Sequence, residues 1–233
     1  MVMINKKFGY TLAEVMITLS LIGVLATLTI STIGSGVQER ARLAEFKTAY
    51  ARMETVLKNI TIEHGSVYAC YSNSSSGFNE FGIDIGNTSA ANGECPELER
   101  EFVKAMGVTR ACPSNNPILG TNYPNLANDC IPNDYPKNNF GDQNGHSYVF
   151  DNGMLMLTKQ GRIIFALDFN GRSGPNKWGQ DIFPFSIVAS SVLNGRVNEV
   201  KILPPHPNED PLNGVTNVKT TAQMMREAAG RKD

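Results

Sequence analysis

An α+β fold is predicted by three features of this 233-residue sequence. The run Tyr10–Ile33 is apolar apart from a few hydroxyls and one carboxylate, Glu14; about 20 apolar residues suffice for a helix to span a bilayer. Further on, Leu43, Phe46, Tyr50, Met53, Leu57 and Ile60 recur at alternating steps of three and four, which is one stripe of an amphipathic helix. From His146 onward, short apolar runs alternate with tight-turn signals such as Asp151-Asn152-Gly153, the pattern of antiparallel hairpins. The sum is a long N-terminal α-helix, membrane-spanning in its first half, packed against a C-terminal antiparallel β-sheet.

Lys6 and Lys7 precede the apolar run and hold its start in the cytoplasm by the positive-inside rule. Glu14 is the awkward element. A carboxylate at the centre of a bilayer helix costs about 2.5–3.5 kcal/mol even on the mildest scale, so a positive partner is expected to meet it. In a secretory signal the small-residue cleavage site follows the apolar part, which is then discarded. Here the small residue, Gly9, comes first. A cut after Gly9 removes only the basic leader Met1–Gly9 and leaves Tyr10 as the new N-terminus, with Glu14 as its fifth residue. The competing reading, a plain signal anchor, has no use for a carboxylate one turn inside the span.

The stretch Gly9–Ile30 (GYTLAEVMITLSLIGVLATLTI) closely resembles type IV pilins and the pseudopilins of type II secretion systems. The chain departs from the family in having Tyr10 where Phe is usual, and Ser31 where many members carry a helix-kinking Pro. Gly34 and Gly36 supply a weaker flexibility, since each Gly costs a helix about 1 kcal/mol against Ala. The resemblance implies a prepilin peptidase that cleaves between Gly9 and Tyr10 and methylates the new Tyr10 amine. That amine has a reference pKa near 8 and is largely charged. The resemblance further implies that Glu14 of an incoming subunit meets the Tyr10 amine of one already assembled, neutralising two charges that are expensive to leave alone in a low dielectric. Implied partners are other pilin or pseudopilin subunits and an inner-membrane assembly platform. The implied location is the bacterial inner membrane, single-pass with the head outside the cytoplasm, and then a filament.

The expected organisation is a leader at 1–9, a transmembrane and filament-core helix at 10–35, its amphipathic continuation at 36–65, and a globular head at 66–233. Between the stripe residues lie Glu39, Arg40, Arg42, Glu45, Lys47, Arg52, Glu54 and Lys58, suited to a wet face. A helix from Thr11 to Ile62 is about 75 Å long at 1.5 Å per residue, and Gly65 is its expected stop. The stripe is too short for a coiled coil and should carry the head.

The head is long enough for one domain. With 41% hydrophobic and 18% charged residues, a core can form. Net charge is −1, and loss of Lys6 and Lys7 takes it to −3. This is not the basic footprint of a nucleic-acid binder, and no nucleic-acid partner is expected. Nor is an enzyme: the sequence holds no GxSxG, HExxH, Walker A or dinucleotide fingerprint. Cys70, Cys95, Cys112 and Cys130 include no CxxC pair and no histidine spacing for zinc. Outside the cytoplasm they are read as disulfides. Three pairings are open; Cys70–Cys95 with Cys112–Cys130 closes the shortest loops. The bridges would staple Tyr71–Asp129, a polar stretch expected to bury little, whose best helix candidate is Glu97–Met106. The polar run Ser72–Ser76 is read as a mobile or glycosylated loop.

Expected strands are Ser147–Phe150, Met154–Thr158, Arg162–Asp168, Asp181–Val188 and Arg196–Leu203, with Lys159-Gln160-Gly161 as a second turn. Pro184 favours an edge position. The sheet should lay one face on the Leu43–Ile60 stripe. Pro204–Pro211 reads as extended, and Thr220–Ala229 as a short final helix. His64, His146 and His206 read as surface or turn residues, and Trp178 as a packing residue.

The loop between the third and fourth of these strands is the one place with candidate metal chemistry. Asp168, Asn170, Asn176 and Asp181 are spaced around glycine turns and offer the oxygen ligands that calcium takes in sixes to eights. The spacing is not an EF-hand, and Arg172 occupies a usual ligand position. Some pseudopilins bind calcium near the C-terminus, so the resemblance favours the ion. The alternative is an Asx/Gly turn that needs none. The functional expectation is a structural subunit of a type IV pilus or a secretion pseudopilus. The alternatives are a minor tip or priming subunit, or a signal-anchored adhesive or ligand-binding domain that never polymerises.

Overall fold

The computed structural model describes residues 10–71, 92–112, 146–158, 164–193, 196–205, 210–212, 214–216 and 218–231, without the side chains of 28–35, 172 and 190–193. The leader with Gly9, the loop Ser72–Ser76, Cys130, the turn 159–161 and His206 lie outside the described residues. The chain divides into two compact units, one up to Arg42 and one from Leu43. A single helix, α1 (Leu12–His64, 53 residues), runs through both.

In the first unit the apolar side chains of α1 are exposed, from Leu12 through Leu25. Its hydroxyls turn back onto the helix. Thr18 donates to the Glu14 carbonyl at 2.9 Å, Ser20 to Met16 at 2.8 Å and Thr27 to Val24 at 2.8 Å. The hydroxyls of Thr18, Ser20 and Thr27 that interrupt the apolar run therefore present no unmet donor. Among the described residues no helix is long and apolar enough to cross a membrane. The described apolar stretch Leu12–Thr27 is 16 residues, against the roughly 20 a span requires.

The second unit is built on the predicted stripe. Phe46, Met53, Leu57 and Ile60 are buried, joined by Ala49 and Val56, while Leu43 and Tyr50 pack partly buried against them. α1 ends where expected: Gly65 has φ +79°, a conformation that costs glycine little and other residues more. After it come α2 (Cys95–Ala105) and six strands: β1 (Val108–Cys112), β2 (Ser147–Phe150), β3 (Leu155–Thr158), β4 (Ile164–Asp168), β5 (Ile182–Leu193) and β6 (Arg196–Leu203). They form an antiparallel meander in chain order. A last helix, α3 (Thr221–Ala228), starts on a capping box in which Thr220 and Gln223 satisfy each other's backbone N–H.

The aromatic layer fastens α1 to the sheet. Phe46 meets Phe169 and Phe183 edge-on, each at 5.4 Å, and Phe185 at 6.0 Å. Burying a phenylalanine of this kind stabilises by about 1.5–3 kcal/mol. The other face of the sheet is covered as well. All five residues of β4 are buried, and Val188, whose side chain points away from that of Ile187, packs with Tyr71 and with Met225 of α3. A sheet buried on both faces loses the alternation that a one-sided sheet shows.

Three expectations need correction. The described part of the 71–129 stretch is core. Leu98, Phe102 and Val103 of α2 are buried, as are Ala111 and Cys112 of β1, because α2 places its apolar residues on one side despite the polar neighbourhood. β5 lies inside the sheet, not at its edge. Pro184 is tolerated there because the β6 ladder begins only at Ser186. The side of Pro184 facing away from β4 meets α3, where Thr221 Oγ1 donates to the Pro184 carbonyl at 2.9 Å. His146 is buried, not a surface residue, with Nδ1 at 2.9 Å from Glu99 Oε1. Tyr148 and Thr158 donate to that same oxygen at 2.6 and 3.2 Å, tying α2 to β2 and β3.

Two further ties run from α1. The Arg52 guanidinium donates to the Met106 carbonyl at 2.9 Å and to Asp151 Oδ1 at 3.0 Å. Gly107, beside this carboxylate, has φ +75°, a conformation that favours glycine. On the outer edge of β6, the Ile202 N–H donates to Glu54 Oε1 at 2.9 Å. Tyr50 Oη lies 3.0 Å from the Ile202 carbonyl and 3.1 Å from Glu54 Oε1. α1 thereby closes part of an open sheet edge.

Burial holds the Glu54 carboxyl above its ordinary value of 4.5, opposed by the Ile202 and Tyr50 hydrogen bonds and by Lys201. A raised folded-state pKa means a stability contribution that is full below the unfolded value and lost as pH rises through the folded one. Glu54→Gln keeps an acceptor without the charge. Thermal melts of the full chain in detergent should show the variant gaining on the wild type between pH 4.5 and pH 7.5. A gap that does not change with pH would contradict this.

Candidate functional site

The start of α1 is a capping box. The Thr11 carbonyl accepts from the Val15 N–H at 3.2 Å, which makes Thr11 the N-cap. Glu14 Oε2 accepts from Thr11 N–H at 2.9 Å and from Thr11 Oγ1 at 2.8 Å, while Glu14 N–H points back to Thr11 Oγ1 at 3.3 Å. This is the reciprocal Thr-x-x-Glu arrangement that satisfies two orphan helix donors. Glu14 Oε1 accepts no hydrogen bond among the described residues, and Tyr10 beside the box is 88% exposed. One oxygen of Glu14 therefore holds the helix end and the other is presented outward. Sequence reasoning singled out Glu14 for its charge and passed over Thr11, although the Thr11-x-x-Glu14 spacing announces the cap.

The second candidate is the connection from β4 to β5. The structure brings the ends of the predicted ligand set together: Asp168 closes β4, and Asp181 precedes β5 as its backbone accepts from Phe169 N–H at 3.2 Å. Both carboxylates are buried, at 1% and 3% exposure. Asp181 organises the turn. Its Oδ2 accepts from Asn176 N–H and its Oδ1 from Lys177 N–H, each at 2.7 Å. Asp168 Oδ1 accepts from Asn170 N–H at 3.2 Å, and Asn170 Nδ2 donates to the Gly174 carbonyl at 3.1 Å. Asn176 holds φ +51°, a left-handed conformation that asparagine tolerates better than most residues. Trp178 is buried in the core, as a packing residue should be.

Much of this is an Asx/Gly turn making its own hydrogen bonds. Two observations go further. Asp181 is a buried carboxylate that makes no ion pair among the described residues, where the donors it meets are backbone amides. The Oδ1 atom of Asn170 is buried with no hydrogen-bond partner. Each carboxylate oxygen can accept more than one bond, so Asp181 keeps capacity beyond its two amides. An all-oxygen donor set of two carboxylates and two amides fits a hard cation such as calcium. Among the described residues no cluster of three or more His, Cys, Asp or Glu could hold a metal. The Arg172 side chain lies outside the described residues.

Cys70 and Cys95 form a disulfide with a sequence separation of 25, as the shortest-loop pairing expects. A loop of this size contributes about 3 kcal/mol in the chain-entropy model. Beside it, Ala69 N–H donates to the Glu94 carboxylate and Glu94 N–H to the Ala69 carbonyl. Cys112 is also disulfide-bonded. Elsewhere, a groove of about 780 Å³ runs between the end of α1 and β6, lined by Thr61, Ile62, Val67, Arg196 and Val197 among others. No acid–base pair lines it.

No curated protein and no solved structure matches the chain. Residues 4–34 match the prokaryotic N-terminal methylation motif. The motif implies processing by a prepilin peptidase, membrane anchoring and assembly with pilin-like subunits. It contains the Thr11–Glu14 box and the start of α1, and it is the N-terminal signature that type IV pilins and pseudopilins carry.

Proposed function

We propose that the protein is a structural subunit of a type IV pilus or a type II secretion pseudopilus. The observation that carries this is the methylation motif at 4–34, with an outward-facing carboxylate one turn into its helix. In this reading Gly9–Tyr10 is the processing site, and residues 10–35 anchor the subunit in the inner membrane before entering the filament core. The amine of Tyr10 then pairs with Glu14 of a neighbour. Thr11 keeps hold of Oε2, so Oε1 receives the amine without dismantling the helix cap. The exchange is favourable because a bare carboxylate and a bare ammonium are both costly in lipid. The assembly platform and prepilin peptidase are the remaining partners.

The Asp168–Asp181 loop binds one calcium ion in this reading, through Asp168, Asn170, Asn176 and Asp181. The buried Asp181, which makes no ion pair among the described residues, and the orphaned Asn170 Oδ1 favour it over a turn alone. The ion would supply positive charge to a pocket of inward-facing oxygens and fix the loop; no reaction is assigned to it.

Protein recovered from its native host should begin at Tyr10, and Gly9→Val should leave the full precursor in the membrane. N-terminal sequencing or intact mass reads this directly. A mature chain starting at Met1, or cut after the apolar run, would sink the proposal.

Glu14→Val should reduce filament incorporation by a factor of ten or more, on the order of the 1.4 kcal/mol that a lost charge pair exceeds in a low dielectric. The melt of the head should not move, because the Glu14 carboxylate bonds only to Thr11 among the described residues. Unchanged filament yield would contradict the pairing.

Calcium at a hundredfold excess over Kd should stabilise the chain by about 2.7 kcal/mol, read as a higher Tm than in chelator. Asp168→Ala should erase the difference. If calorimetry detects no binding and chelator leaves the melt unmoved, the loop is a turn only.

A further inference from the structure

At one place on the outer edge of β6, two side chains of α1 stand where a neighbouring strand would. Glu54 Oε1 receives the Ile202 N–H at 2.9 Å, as a strand carbonyl would. Tyr50 Oη lies 3.0 Å from the Ile202 carbonyl, in the position of a strand N–H. Ile202 therefore turns its backbone groups away from β5. Successive residues of a strand turn theirs to alternate sides, and the ladder to β5 is unshifted from Ile202 to Val200. Val200 thus faces the same way, and no hydrogen bond meets its N–H or C=O there among the described residues. Next comes a bulge: Glu199 lies opposite Ser191 and Val197 opposite Val192, which leaves Asn198 as the extra residue. The groove of about 780 Å³ opens beside it, with Thr61 and Ile62 of α1 on one wall and Arg196, Val197 and Asn198 on the other. Clefts of roughly 300–1,000 Å³ are the usual size for holding a ligand. Ile62 is 66% exposed.

Two cations flank this groove. Arg196 is exposed, and its side chain makes no ion pair among the described residues. Lys58 is exposed as well, with no ion pair among the described residues. It stands four residues from both Glu54 and Ile62, on the face of α1 that meets β6. The carboxylates nearby are engaged: Glu54 with Ile202 and Tyr50, and Glu199 with Lys201 at 3.7 Å. Glu63 adjoins Ile62 but lies on a different face of the helix, within electrostatic reach of Tyr68. We infer that the Arg196–Val200 edge of β6 and the groove beside it form a docking site for an acidic, extended segment of another protein. The segment pairs with β6 as a further strand, sets a carboxylate between Arg196 and Lys58, and lays an apolar side chain against Ile62 and Val197. In such strand addition the main-chain bonds supply affinity and the alternate side chains supply specificity. A second copy of this chain is a poor donor. The other edge strand among the described residues is β1, and its exposed Arg110 would bring a like charge against Arg196 and Lys58. The inference stands apart from the filament and calcium readings.

The test selects a display library of short random peptides on the full chain in detergent, and the enriched peptides are then made synthetically. They should carry Asp or Glu in alternation with β-branched residues, and bound peptide should slow hydrogen exchange at the Val200 amide. Arg196→Glu should weaken binding by about tenfold or more, because it sets like charges against each other, and Arg196→Gln should fall between. Both variants should melt with the wild type, since the Arg196 side chain is exposed. N-methylating alternate amides of the peptide should abolish binding for one set and spare it for the other, because only one set faces β6. No enrichment over the bare support overturns the inference. So does enrichment of peptides that are indifferent to Arg196→Glu or to which amides are methylated. Self-association of the wild type that Arg196→Glu disperses, read by sedimentation, makes the occupant a second copy and overturns it too.

Discussion

Phe46 is where one helix acquires two different jobs. Before it, the described side chains of α1 are largely exposed, and over Leu12–Thr27 the helix is apolar nearly all round. From Leu43 onward only one stripe is apolar, and it is consumed by the sheet. The Phe46 ring is fully buried among Phe169, Phe183 and Phe185. Phe169 follows Asp168 and Phe183 follows Ile182, so this one cluster joins the helix, the sheet and both ends of the polar loop. Helix packing, strand register and loop closure are then not independent. Loss of the ring would free the loop ends as well as the helix. An apolar side chain at the root of a polar loop is what lets two carboxylates stay buried without dragging water into the core.

The helical stripe and the hairpins were legible because they depend on local periodicity. The steps of three and four from Leu43 to Ile60 became the buried face of α1, and Ser147–Phe150 and Arg196–Leu203 became β2 and β6 with the bounds read from sequence. β1 was missed. Val108–Cys112 is short, carries an exposed arginine and pairs with a strand 40 residues away, so nothing local marks it. His146 was misread for the same reason. Its burial comes from Glu99 on another helix, a partner 47 residues distant that no spacing rule points to. Pro184 shows a third kind of failure. The rule that proline avoids interior strands rests on a missing donor, but the donor is needed only where a neighbour runs alongside, and β6 has ended by then.

At the N-terminus the position of Glu14 was legible and its local bonding was not sought. Its charge looked like a liability in an apolar run. The structure shows that half of the carboxylate is already in use at the helix end. The other polar residues of the run, Thr18, Ser20 and Thr27, spend their hydroxyls on carbonyls one turn back. Such back-bonding makes Ser and Thr tolerable in lipid-facing helices. It is unavailable to a carboxylate, which has no proton to give. Glu14 is thus the one side chain in the described part of this run that intrahelical bonding cannot fully satisfy, and that leaves a partner outside the helix as its remaining source of stabilisation.

The loop at Asp168–Asp181 poses the same electrostatic problem in a different solvent. A buried carboxylate is expensive unless it is paired or richly hydrogen-bonded. Among the described residues Asp181 has two short amide bonds and no ion pair, which satisfies a turn and leaves part of its accepting capacity unused. The two carboxylates share a design: each is held by hydrogen-bond donors through part of its capacity. In the proposed reading the remainder is met at Glu14 by a charge on another chain and at Asp181 by a small hard cation. The difference in burial, an exposed Glu14 against an Asp181 at 3%, is what separates an assembly contact from a metal site in that reading.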